Sequence, residues 1–195
     1  MSYNNNFHHR RSTRLQGCDY SAPGFYFITI CAKNREHLFG EILDGEMRLN
    51  DDGEIAKQYW GNVSKYYDQI FIDSMVVMPN HLHVIVLIVN GSRGGVTPPL
   101  PRANYFPTLG QIIGYYKYQT TKIINEKNDL IGRKIWQRNY YDRIIRNEKS
   151  LQKIRDYIIN NPFNWQLDIE NPINFSKLTE KEAEKSREKF YQSFD

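Results

Sequence analysis

The chain has 195 residues and a mass of 23.2 kDa, a length at which one domain buries roughly 70% of its unfolded surface without a disulfide scaffold. With 40% hydrophobic, 14% aromatic and 25% charged residues it is too rich in Tyr and Phe for a disordered segment, and its longest apolar run, Val84 to Val89, falls far short of the roughly 18 residues that span a bilayer. The formal charge of +4 is uneven: residues 168–195 hold seven acids against five bases, so the excess of base lies in residues 1–167, as suits a part that meets a polyanion.

The first residues, MSYNNNFHHRRSTR, place Asn, His and Arg where an export signal would place an apolar stretch, so a cytoplasmic protein without a membrane partner is expected. Cys18 and Cys31 form no metal-finger pattern and are read as reduced thiols, with Cys31 in the core. The basic arm carries Arg10, Arg11 and Arg14. After it, GFYFITICAK (24–33) reads as a strand covered on both faces. FGEIL and EMRLN flank Asp44-Gly45, a hairpin signal. From Asp51 to about Asp68, Ile55, Tyr59, Trp60, Val63 and Tyr67 recur at helical spacing, with Asp51 or Asp52 as the expected cap.

IFIDSMVVM (70–78) and HLHVIVLIV (81–89) are two strong strands joined at Pro79-Asn80 and expected as central antiparallel neighbours. Residues 90–107 concentrate Gly and Pro and read as a mobile loop. Thr108 caps a helix with Leu109, Ile112, Ile113, Tyr116, Ile123 and Ile124 toward the core and Lys117 and Lys122 outside. IWQRNYYDRIIR (135–146) is extended or irregular, and Asn147 caps a helix over 148–161 that Pro162 stops. Thr179 and Glu182 form a capping box for a short polar helix, expected to be peripheral or frayed. The domain is thus expected over 1–167, followed by a C-terminal tail, 168–195.

His81 and His83 sit at i and i+2 on a strand, so both imidazoles point to one face while Leu82 points to the other. That is half of a metal site, although a bare His-x-His is more often an ordinary pair. A histidine-triad hydrolase would need a third His where Ile85 stands, and a zinc hydrolase a third strong ligand. Two imidazoles with an oxygen donor suit Mg²⁺ or Mn²⁺ beside phosphate oxygens. Tyr157 and Asn161, at i and i+4, share the edge of the 148–161 helix. They could supply a nucleophile and an oxygen ligand. Spacing alone favours a packing tyrosine and a helix-end amide, since the chain has fourteen tyrosines.

VVMPNHLHVIV (76–86) resembles the hydrophobic-Pro-Asn-His-hydrophobic-His segment of the HUH single-tyrosine transposases. IWQRNYYDRIIRNEKSLQKIRDYIINNP (135–162) is similar to the segment that typifies their REP-associated branch, and residues 11–42 match in character. The resemblance implies an α+β, ferredoxin- or RRM-like fold, with an antiparallel sheet and helices mainly on one face. It makes Tyr157 the nucleophile and His81, His83 and Asn161 the ligands of Mg²⁺ or Mn²⁺. The implied reaction is cleavage and rejoining of single-stranded DNA beside a hairpin, with a short flanking recognition sequence, through a 5′-phosphotyrosine. Arg10, Arg11, Arg14, Lys117, Trp136, Arg138, Tyr140, Tyr141, Arg143 and Arg146 are the expected DNA contacts, as cations on phosphates and aromatics under bases. The enzyme would be a monomer or homodimer. A hairpin-binding module without chemistry and a metal-dependent phosphodiester hydrolase are the alternatives.

Overall fold

A computed structural model describes residues 22–89, 107–176 and 178–194. The main sheet is antiparallel in the order β4-β5-β1-β6, formed by Ile70–Met78, His81–Ile88, Gly24–Cys31 and Tyr141–Ile145. The class is α+β with an antiparallel sheet, as expected. The pair β4 and β5 forms as expected, with Met78 opposite His81 and Val76 opposite His83. The expectation that both are central holds only for β5. Strand β1 takes the other inner place, because its apolar residues pair with β5 on one side and β6 on the other, leaving β4 at an edge.

The hairpin of β2 (Gly40–Leu43) and β3 (Glu46–Leu49) forms at Asp44-Gly45, but as a separate two-stranded sheet. Asp44 and Gly45 have φ of 52° and 79°, the left-handed pair that a two-residue hairpin turn of matching twist requires. Helix α1 follows at Asp51–Tyr66. Its cap is Asn50 rather than Asp51 or Asp52: the Asn50 side chain accepts from the Gly53 amide at 2.9 Å and donates to the Leu38 carbonyl at 3.0 Å. Helix α2 (Leu109–Lys127) starts at Thr108 in a reciprocal capping box with Gln111. Helix α3 (Glu148–Asn160) is capped by Asn147, and α4 (Glu180–Gln192) by Thr179 with Glu182.

Strand alternation sorts two cores. Tyr26, Ile28 and Ile30 of β1 and Leu82, Val84, Val86 and Ile88 of β5 meet α1 and α2 on one face. Phe27 and Ile85 meet Leu151, Ile154 and Ile158 of α3 and Tyr191 of α4 on the other. Helices therefore cover both faces, α1 and α2 on the first, α3 and α4 on the second. The reason is that every residue from Phe27 to Cys31 and from His81 to Val86 is buried, so neither face can stay in water. Helix α4 is not peripheral. Its Ala183, Tyr191 and the following Phe194 are at most 9% exposed, and buried Arg187 pairs with Glu170. The aromatic side of an otherwise polar sequence decides this.

A bulge between Ile72 and Ser74 in β4 breaks the register at Asp73. Asp73 accepts both arms of Arg155 on α3, at 2.6 and 2.8 Å, so the bulge aims a carboxylate that fixes the helix across the sheet. No helix among the described residues is long and apolar enough to cross a membrane. Arg10, Arg11, Arg14 and, except for Pro107, the loop 90–107 lie outside the described residues.

Candidate metal and nucleophile site

His81 and His83 lie on the α3 side of β5, both fully buried, with their Nε2 atoms 3.0 Å apart. The Asn80 Nδ2 donates to the carbonyls of Glu170 at 3.0 Å and Arg35 at 3.4 Å, which turns the Oδ1 toward His81 Nδ1 at 2.8 Å. An oxygen acceptor there calls for a proton on Nδ1, so the His81 Nε2 keeps its lone pair for a ligand. His83 Nδ1 meets the Thr29 hydroxyl at 2.8 Å. A hydroxyl can donate or accept, so it serves either tautomer. Burial, then the neighbouring His83, pushes the His81 pKa well below its ordinary value, and the ring is neutral at pH 7.

Asp168 completes the group. Its Oδ1 is 3.9 Å from His81 Nε2 and its Oδ2 is 4.0 Å from His83 Nε2, and the three ligand atoms lie within 4.8 Å of one another. Tyr157 donates its hydroxyl to Asp168 Oδ2 at 2.7 Å, and the Tyr157 hydroxyl oxygen is 3.0 Å from His83 Nε2. Asn161 donates through Nδ2 to Asp168 Oδ2 at 2.6 Å, and the Glu170 amide donates to Oδ1 at 2.6 Å. Burial works against the Asp168 carboxylate, yet the facing imidazoles and the Asn161 amide hold its pKa well below the usual range. Burial, then the Asp168 charge, pushes the Tyr157 phenol well above its ordinary pKa.

These donors fit a divalent cation. Two imidazole nitrogens and a carboxylate converge, and the buried Asn161 Oδ1 has no hydrogen-bond partner among the described residues. A cation at roughly 2.0–2.2 Å from nitrogen and oxygen ligands would use what these groups leave unused. The His81, His83 and Asp168 group could hold a metal ion.

A protein of Haemophilus influenzae, described only as an uncharacterized protein, is 44% identical over 173 residues, which cover 85% of this chain and 95% of that one. The chain belongs to the family of that protein. No family model matches it. Among solved structures, the chain is similar to a REP-associated tyrosine transposase bound to a REP hairpin. The identity is 20%, covering 73% of this chain and 68% of that one, with a TM-score of 0.47.

The fold brings His81, His83, Tyr157 and Asn161 together. Of the expected DNA contacts, Trp136 must be withdrawn as a stacking surface. It is 6% exposed, stacks on Phe39 and donates to the Thr120 hydroxyl at 2.9 Å, so no ring face is left for a base. Lys117 is not simply outside: it donates to the carbonyls of Gln137 and Asn139 at 3.0 and 2.8 Å, and burial lowers its pKa to about 8. Tyr140 is half-buried beneath Lys117, and Tyr141 stacks on Tyr191. Arg138 and Arg146 are exposed, and Arg143 is half-buried and donates to the Tyr191 carbonyl.

Asp168 is not singled out by sequence, because it stands in an aperiodic stretch between α3 and α4. Glu170 is a second such residue. It is fully buried, pairs with Arg35 and Arg187, and accepts the Tyr191 hydroxyl at 3.1 Å. The cluster ties α4 to the turn that carries Asn80.

Proposed function

We propose that the protein is a metal-dependent transesterase of single-stranded DNA, with Tyr157 as nucleophile and His81, His83, Asp168 and the Asn161 Oδ1 as the groups that would hold the metal. The observation that carries this reading is the Tyr157 oxygen, 3.0 Å from His83 Nε2 and 2.7 Å from Asp168 in a buried cluster of metal-ligand character. Binding alone needs no such cluster. The phenol oxygen forms a bond to phosphorus, its proton leaves along the hydrogen bond to Asp168, and the bond to the 3′ oxygen breaks. A 5′-phosphotyrosine and, once that oxygen is protonated, a 3′-hydroxyl result, and the reversal of the step rejoins the strand. When bound, Mg²⁺ or Mn²⁺ would polarise the phosphate and stabilise charge on the leaving oxygen.

A path for the strand is offered by a cavity of about 530 Å³ beside β6, on the sheet face that carries the histidines, lined by Phe27, Thr29, Tyr141, Arg143, Arg146 and Tyr191, with the acids Asp142, Glu184 and Glu188 also in its wall. Arg143 and Arg146 give it cations for phosphates. The DNA is proposed to carry a hairpin next to the cut. Incubation with hairpin-flanked single strands and Mn²⁺, followed by a denaturing gel, should give a covalent protein-DNA band that EDTA and Tyr157→Phe both remove. Cut DNA without a protein adduct would indicate a hydrolase instead, and uncut but bound DNA a binding module.

A further inference from the structure

Thr29 is the only aliphatic hydroxyl in strand β1. It is 1% exposed, stands opposite His83 in the β1–β5 ladder, and places its Oγ1 2.8 Å from His83 Nδ1. A buried hydroxyl costs free energy unless it is hydrogen-bonded, and the imidazole is its partner. The direction of that bond follows from the groups on the other side of the ring. Asn80 holds the His81 proton on Nδ1, which leaves a lone pair on His81 Nε2, 3.0 Å from His83 Nε2. Asp168 is ionised and accepts from the Tyr157 hydroxyl at 2.7 Å, which leaves a lone pair on the Tyr157 oxygen, 3.0 Å from the same His83 nitrogen. Two lone pairs facing one nitrogen at this distance call for a proton on it. In the neutral ring His83 therefore carries its proton on Nε2, shared between His81 Nε2 and the Tyr157 oxygen, and its Nδ1 accepts from Thr29.

That arrangement satisfies the site without a metal, yet it is the wrong one for holding a metal. A cation needs the lone pair of His83 Nε2, and a proton occupies it. The ring can offer that lone pair without a change of charge if Nδ1 carries the proton instead. Nδ1 then needs an acceptor, and the atom 2.8 Å away is the Thr29 oxygen. A carbonyl at this place would fix one tautomer, whereas a hydroxyl serves both. The hydroxyl also has a second place for its own proton. Tyr191 on α4 lies beside it and itself donates to Glu170 at 3.1 Å, so the Tyr191 oxygen can accept.

We infer that Thr29 is a positioning residue that lets His83 exchange two tautomers: protonated on Nε2 the ring ties His81 and Tyr157 together, and protonated on Nδ1 it is a metal ligand; this rests on the metal-dependent reading proposed above. The change balances within the site. One proton leaves Nε2 and one arrives at Nδ1, so none is gained or lost overall. The Thr29 hydroxyl turns from donor to acceptor, and its hydrogen turns toward the Tyr191 oxygen. The Tyr157 oxygen loses the His83 N–H in the same change, so a lone pair of the nucleophile is freed only in the tautomer that can hold a metal.

Two readouts that do not depend on activity test this. In full-length protein labelled with ¹⁵N-histidine, long-range proton–nitrogen correlation shows which nitrogen of each ring carries the proton, with His81→Ala and His83→Ala assigning the signals. In EDTA, His81 should be protonated on Nδ1 and His83 on Nε2. With saturating Zn²⁺, a diamagnetic probe, both should be protonated on Nδ1. Mn²⁺ affinity by calorimetry should fall about 10–100-fold in Thr29→Val, which keeps the shape and loses the hydroxyl, and should return to within about threefold of wild type in Thr29→Ser. The wild-type spectra decide the tautomers even where Thr29→Val fails to fold. His83 protonated on Nδ1 or on both nitrogens in EDTA, or a Thr29→Val protein that binds Mn²⁺ as tightly as Thr29→Ser, would overturn the inference and leave the metal site standing. A wild-type protein that binds neither ion would overturn the metal reading, and the switch with it.

Discussion

Replacing Asp168 by Ala tests how much of the site's order depends on one carboxylate. Asp168 accepts three donors at 2.6–2.7 Å, the Tyr157 hydroxyl, the Asn161 amide and the Glu170 backbone N–H. The Asn161 amide and the Glu170 N–H lose their acceptor, so the truncation orphans at least two buried donors. Each costs about 1–3 kcal/mol. Removing a buried charge returns part of this, so the expected loss is about 2–4 kcal/mol, a fall of about 1–2 M in the urea midpoint. Urea denaturation followed by circular dichroism in EDTA measures it without any contribution from metal. Asp168→Asn keeps an acceptor oxygen and should lose about half as much. A loss below about 0.5 kcal/mol for Asp168→Ala, the size of an ordinary surface change, would refute the reasoning.

Mn²⁺ should raise the melting temperature of the wild-type protein, and the shift should disappear in His81→Ala, His83→Ala or EDTA; equal shifts in all samples would show binding elsewhere. Asn80→Ala should weaken Mn²⁺ binding about 10–100-fold, because the Asn80 Oδ1 fixes the His81 tautomer, and an unchanged affinity in calorimetry would exclude that role. Gly53→Ala should destabilise the fold although Ala favours helix by about 1 kcal/mol. A Cβ there would stand 2.2 Å from the Phe39 carbonyl oxygen, so a rise in the urea midpoint would show that the contact relaxes freely.

Much of the fold can be read from local chemistry. Asp44-Gly45 marks the hairpin, Thr108, Asn147 and Thr179 mark three helix starts, and the strict alternation through His81, Leu82 and His83 sets which face each side chain takes. What depends on long-range packing is less legible. The edge position of β4 follows from β1 pairing on both sides, which no local pattern encodes. Trp136 sits among arginines and tyrosines in sequence, yet its ring is drawn into the core by Phe39 and Thr120, neighbours far off in the chain. Helix α4 looks polar because most of its residues face water, and its few aromatics carry the packing over Phe27 and Tyr157. Asn50 takes the cap from Asp51 because its amide can both accept from Gly53 and donate to Leu38, which a carboxylate cannot do.

The central claim is that Tyr157, held against His83 and Asp168, takes the phosphate onto its own oxygen. The most direct measurement is peptide mapping by mass spectrometry after incubation with a hairpin-flanked single strand and Mn²⁺ and complete nuclease digestion. The expected result is a nucleotide joined through its 5′-phosphate to the peptide that contains Tyr157, absent with EDTA. Cleaved DNA with every tyrosine peptide unmodified, or the adduct on Tyr140 or Tyr141, would contradict it.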